Sequence, residues 1–197
     1  MRTQAFRLYA AVPVTAALFS LLLTFHAAWI PLKAELAQWL IERSWRQSLT
    51  DATPRPPWPW ADTTAVAVLS APAQGVRLHV LQGNSGRNLA FGPVLTDGFA
   101  GSRDRIISGH RDTHFQFLGD LQAGDLLQWT DRDGSRWFRV EERDVVDSRT
   151  HQLVLDHGAD RLSLVTCYPF DSPSTGGPLR YVVTAYPLSR PSGQEGS

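Results

Sequence analysis

Hydrophobic and polar positions divide the chain into three stretches with different periods. Residues 8–30, LYAAVPVTAALFSLLLTFHAAWI, contain no Asp, Glu, Lys or Arg. At 1.5 Å rise per residue such a run forms a helix of roughly 34 Å, enough to cross a hydrocarbon core of about 30 Å. Pro13 can bend a membrane helix without breaking it, and His26 is close enough to one end to reach the interface. Phe25-His26-Ala27-Ala28 offers small residues of the kind found at a signal-peptide cleavage site, but the run exceeds the usual signal core, so an uncleaved anchor is expected. Residues 1–7 precede it. Residues 31–61 then combine a helix and a linker. Leu32, Leu36, Trp39 and Leu40, at i, i+4, i+7 and i+8, share one face of a predicted juxtamembrane helix running to about Leu49, with Trp39 and Trp45 near the interface or packed on the domain. In DATPRPPWPWAD, 51–62, the prolines remove backbone donors and stop both helix and central strand.

From Thr63 onward short apolar runs alternate with Gly, Asn, Asp and Pro, an all-β pattern that defines a domain over 62–188, followed by a polar tail at 189–197. The predicted strands are Ala65–Leu69, Val76–Leu81, Arg105–His110, Asp125–Thr130, Arg136–Val146, Arg161–Cys167 and Leu179–Tyr186. Asp133-Gly134 is a hairpin signal, because glycine tolerates positive φ. Strands of this number and spacing suit a small closed barrel or a sandwich, which protects sheet edges.

Nineteen basic and nineteen acidic residues cancel, without a long run of either sign, so nothing marks a nucleic-acid partner. Basic residues flank both ends of the apolar run, Arg2 and Arg7 before it and Lys33, Arg43 and Arg46 after it. Charge balance therefore leaves the orientation in a membrane open.

The candidate chemistry centres on LSLVTCYPF, 162–170, which holds the one cysteine of the chain. A lone Cys in a strand is commonly an inert small hydrophobe. Cys167, however, stands where a strand ends and a proline-containing loop begins, and in an exported domain an unpaired thiol is a candidate reactive group. A free thiol has a pKa of about 8.5, so a base is needed nearby. His26 belongs to the apolar run, His79 to a strand interior, and His151 and His157 to an unpatterned segment. His110 and His114 remain, in IISGHRDTHF, 106–115, and His110 closes a strand as Cys167 does. Their i, i+4 spacing would suit two metal ligands on a helix, but they follow a strand, and Arg111 stands where a metalloprotease helix carries its Glu. Attack on a carbonyl also requires a group to hold the oxyanion, and Arg180, opening the strand in GGPLRYVVTA, 176–185, offers a permanently charged donor. On its own such an arginine reads as a barrel-rim side chain with its head in water.

Together these residues resemble the sortase family of membrane-anchored cysteine transpeptidases. The family signature T-L-x-T-C is met by Ser163-Leu164-Val165-Thr166-Cys167, which departs only at its first position and keeps the hydroxyl there. The family histidine matches His110 in SGHRD and its arginine matches Arg180 in PLRYVV. Cys-Tyr-Pro-Phe-Asp after the motif and Trp-Pro-Trp-Ala-Asp at 58–62 look most like the sortases of Gram-negative proteobacteria. The resemblance implies an eight-stranded β-barrel and a nucleophile, Cys167, that cleaves a C-terminal sorting signal of the Leu-Pro-x-Thr-Gly kind. A thioacyl enzyme is then resolved by an amine acceptor. His110 is implied as proton carrier, Arg180 as oxyanion clamp, and His114, Thr166 and Tyr168 as substrate contacts. The reaction calls for no cofactor or metal. The barrel would lie on the periplasmic or extracytoplasmic side of the inner membrane, beside membrane-held protein substrates. An L,D-transpeptidase is a rival, but its usual S-H-G-C-x-R arrangement is missing, since Arg180 lies well beyond Cys167 and no His-Gly precedes it. A tethered barrel that only binds, with Cys167 buried, is a second rival.

Overall fold

The structure, a computed structural model, describes residues 2–83, 85–96, 103–156, 158–172 and 176–188, with most side chains of 2–31 outside that description. The predicted polar tail, 189–197, lies outside the described residues. One helix, α1, runs Arg2–Asp51, so the predicted anchor and juxtamembrane helix share a single element. Among the described residues no helix is long and apolar enough to cross a membrane, and most of the side chains of 8–30 fall outside them. The chain forms two compact units, 1–39 and 40–197, so the barrel unit takes in the last turns of α1.

The barrel strands are β1 Ala65–Ala71, β2 Val76–Gln82, β3 Val94–Leu95, β4 Arg103–Ser108, β5 Leu126–Asp131, β6 Gly134–Asp147, β7 Asp160–Cys167 and β8 Leu179–Pro187. They close in the order β1-β2-β3-β4-β7-β8-β6-β5. All neighbours are antiparallel except β2 with β3 and β4 with β7. Seven strands match the predicted ones to within a few residues. The eighth, β3, was not predicted: with two residues it has no period of its own and is defined by its partners β2 and β4. The predicted hairpin joins β5 to β6, with Arg132 and Asp133 as its loop and Gly134, at φ +124°, opening the second strand. Asp131 accepts the Asp133 N–H at 2.9 Å and fixes the turn.

Side chains alternate as the pleat requires. Leu162 and Leu164 of β7, Val183 and Ala185 of β8, Phe138 and Val140 of β6 and Ile107 of β4 point inward, into a core completed by Leu69, Leu127 and Trp129. Each large side chain so buried contributes roughly 1.5–3 kcal/mol. On α1 Trp39 and Trp45 have different environments. Leu32, Leu36 and Trp39 are exposed, whereas Ile41, Ser44, Trp45 and Ser48 form the buried stripe. Ile41 and Trp45 pack on Ala65, Val68, Leu81 and Val94. The two serines hide this face from a hydropathy pattern, and their hydroxyls are satisfied locally: Ser44 donates to the Ile41 carbonyl and Ser48 accepts from Arg55 N–H.

Candidate active site

Beyond Val140 a register shift on β6 brings Glu142, Asp144 and Val146 opposite Thr184, Val182 and Arg180 of β8. Because 162, 164 and 166 of β7 and 181, 183 and 185 of β8 face the interior, Cys167 and Arg180 stand on the outer face, and they are direct cross-strand partners. Facing pairs on one side of an antiparallel ladder have Cβ atoms about 4.5–5.5 Å apart, so the thiol and the guanidinium stem are neighbours. Both are half-buried.

The third residue arrives through the parallel pairing of β4 with β7. Ser108 is opposite Val165, and Gly109 N–H continues the ladder to the Val165 carbonyl at 3.1 Å. Exposed His110 follows the last paired residue of β4 by two positions, as Cys167 follows that residue's partner, Val165, on β7. Thr166 reinforces the junction, its hydroxyl donating to the Gly109 carbonyl at 2.7 Å. Thr166, expected as a substrate contact, is 2 % exposed and its hydroxyl is engaged at this junction. Gly109 is required by close packing: a Cβ at this position would sit 2.7 Å from the ring of fully buried Phe115. Phe115 in turn closes the loop by donating its N–H to the His110 carbonyl.

His114 lies in that loop, half-buried, with Nδ1 3.2 Å from the Thr113 hydroxyl. Burial, and then the neighbouring His110, push its pKa below the ordinary histidine value, which favours a neutral ring beside His110. Tyr168, also expected at the substrate, donates its N–H to the Leu179 carbonyl and extends the β7–β8 pairing past the cysteine. Its ring stacks on Tyr181 at 6.1 Å and meets Phe170 edge-on at 6.2 Å. Arg180 Nη1 donates to the Gly177 and Leu179 carbonyls at 2.6 and 2.9 Å, which fixes the direction of the guanidinium. Among the described residues no group of three or more His, Cys, Asp or Glu is placed to hold a metal ion.

Sequence reasoning missed Arg111. It is 5 % exposed and bonds both to Asp112 and to carbonyls of the loop after Cys167. The adjacent Asp112 was a visible partner, but its burial depends on residues almost sixty positions away.

A thiol, an imidazole and a guanidinium at one rim can perform nucleophilic acyl transfer. A family model described as the sortase domain matches residues 69–188. The chain belongs to the sortase family. It is 30% identical over 123 residues to Sortase D of Bacillus subtilis (strain 168), covering 60% of this chain and 62% of that one. It is 26% identical over 121 residues to Sortase A of Bacillus anthracis, covering 58% and 56% of the two chains. This sortase thus spans less than two thirds of the length of the curated relatives it matches. Its fold is similar to that of a Clostridium perfringens Sortase D5 transpeptidase, with a TM-score of 0.61, 19% identity, and coverage of 79% of this chain and 99% of that one.

Proposed function

We propose that this sortase is a membrane-anchored cysteine transpeptidase that cleaves a sorting signal of the Leu-Pro-x-Thr-Gly kind and passes the acyl group to an amine. The observation that carries the reading is the cross-strand pairing of Cys167 with Arg180, with His110 and Cys167 each two positions beyond the paired Ser108 and Val165 of β4 and β7. The sulfur of Cys167, as thiolate, adds to the carbonyl carbon of Thr in the signal. Arg180 faces the oxygen on which charge develops, and a guanidinium can hold that charge without giving up a proton. The C–N bond then breaks, His110 delivers a proton to the leaving amine, and a thioester remains on Cys167. An incoming amine gives its proton to His110 as its nitrogen bonds to the same carbon, and the C–S bond breaks to return the thiolate.

The uncharged run at 8–30 supports an anchor, with the barrel on the extracytoplasmic side, where an anchored enzyme meets membrane-held substrates at raised effective concentration. Trp-Pro-Trp-Ala-Asp at 58–62 and Cys-Tyr-Pro-Phe-Asp at 167–171 support a place among the sortases of Gram-negative proteobacteria.

The test uses full-length protein, recovered from the membrane fraction after alkaline extraction, with peptides carrying Leu-Pro-x-Thr-Gly and an amine acceptor. The wild type should cleave after Thr and show the thioacyl adduct by mass spectrometry. Cys167→Ala should do neither while keeping its fold. Cleavage retained in that variant would remove Cys167 as nucleophile, and release of the protein by alkaline extraction would remove the anchor.

A further inference from the structure

An arginine is almost never buried without partners, and Arg111 uses its partners to join two loops. Nε and Nη2 donate to the two carboxylate oxygens of Asp112 at 2.6 and 3.1 Å. Nη1 donates to the Pro169 carbonyl at 2.6 Å and Nη2 also to the Ser172 carbonyl at 2.9 Å. Pro169 and Ser172 follow Cys167 in the chain, and Arg111 directly follows His110. The β4–β7 ladder and the Thr166 hydroxyl fix the two backbones only as far as Gly109 and Thr166. Past that point His110 opens a loop while Cys167 ends β7, and the guanidinium ties the His110 loop to the loop that follows Cys167. Only a planar fork can serve both carbonyls and the carboxylate at once. The hydrogen bonds to Asp112 raise the arginine's pKa above its ordinary value, with smaller contributions from the charges of Asp112 and Cys167. Asp112 itself is held below the ordinary carboxylate value, chiefly by its hydrogen bonds from Arg111.

We propose that Arg111 is a positioning residue of the transpeptidation, clamping the loop after Cys167 to the loop opened by His110 so that thiol and imidazole keep one relative geometry through both half-reactions. The proposal rests on the roles of Cys167 and His110 given above. It predicts coupling between positions 110 and 111.

The experiment is a double-mutant cycle on the full-length protein with Arg111→Lys, His110→Ala and the pair combined. Two rates are read: cleavage of a Leu-Pro-x-Thr-Gly peptide, and carbamidomethylation of Cys167 by iodoacetamide. Arg111→Lys should lower kcat about tenfold or more and leave KM within about twofold, because misplacing a reacting group costs the transition state rather than binding. The double variant should cleave no more slowly than His110→Ala alone, and the effect of His110→Ala on carbamidomethylation should shrink in the Arg111→Lys background. Independent, multiplying effects in both measurements would overturn the proposal. A wild type that fails to cleave while the alkylation coupling persists overturns the functional reading and leaves the Arg111 linkage standing. Cleavage without coupling sinks the linkage alone. Should Arg111→Lys fold poorly, Asp112→Asn loosens the fork from its exposed side and should reproduce the same pattern at about twofold to fivefold, the scale of one partly exposed ionic hydrogen bond. Wild-type kcat and coupling in Asp112→Asn would overturn the proposal.

Discussion

At the end of the barrel where β7 begins, Arg103, Arg105, Arg136 and Arg161 meet Asp104, Asp131 and Asp160 across four strands. Arg161 forks onto fully buried Asp104 at 2.9 and 3.0 Å, and Asp104 also accepts the Asp156 N–H at 2.8 Å. At the other end of β7, Arg180 donates to two backbone carbonyls. Both arrangements engage donors of a guanidinium. The difference lies in charge: carboxylates cancel it, whereas carbonyl dipoles orient the group and leave the charge available to an oxyanion. A count of arginines does not separate the two ends. What separates them is whether an acid faces each one, and among the described residues none is paired with Arg180.

If that distinction is right, substitutions at the two ends should fail in different measurements. Arg180→Lys should cost about a hundredfold in kcat/KM, the scale of losing an oxyanion donor, with the unfolding midpoint unchanged. Steady-state cleavage of a sorting-signal peptide checks this, and wild-type rates would return Arg180 to the status of a rim side chain. At the far end, Arg161→Met leaves the Asp104 carboxylate buried without its fork, which should cost about 3 kcal/mol of folding stability in urea titration. The kcat/KM of the folded fraction should stay near wild type. A rate loss without a stability loss in this variant would erase the contrast between the two ends.

The sequence made one of these ends far more legible than the other. Cys167 and Arg180 were picked out because they lie at strand ends, and His110 because it was expected to close β4, which in fact ends two residues earlier at Ser108; such ends follow from local alternation and turn residues. The far-end network could not be paired from sequence, since Asp104 and Arg161 meet only through the parallel register of β4 with β7. The burial of Arg111 had the same origin: its carbonyl partners come from a loop that folds back from a distant part of the chain. β3 escaped because two residues, Val94 and Leu95, cannot display a period of two. The buried face of α1, Trp45 apart, was not legible because Ser44 and Ser48 occupy it, and their hydroxyls find partners within that segment of the chain. Local pattern thus gave the strands and their ends, while partner identity came from the closure of the barrel.

A third charged cluster, joining α1 to β2, carries the smallest expected effect. His79 of β2 is buried with Nε2 2.8 Å from Glu42 Oε2 of α1, and Arg77 and Arg46 also reach Glu42. Burial lowers the pKa of His79; Glu42 opposes that shift and the charges of Arg77 and Arg46 reinforce it. Burial alone would raise Glu42, but the hydrogen bonds from Arg77 and Arg46 and the charge of His79 hold it below its ordinary value. A histidine depressed in the folded state binds fewer protons there than in the unfolded chain. Its contribution to stability is therefore complete above the unfolded value of about 6.5 and is lost as pH falls from there through the lower folded value. Glu42 adds a second loss, beginning below the unfolded carboxylate value. The urea midpoint of the wild type should decline as pH drops below about 6.5, and His79→Gln should flatten the first part of that decline while leaving the part due to Glu42. Because this cluster is paired within itself, kcat measured well above that window should match wild type. An unaltered decline in His79→Gln would assign the pH dependence to His114 in the loop after His110, a half-buried imidazole also held below its ordinary value.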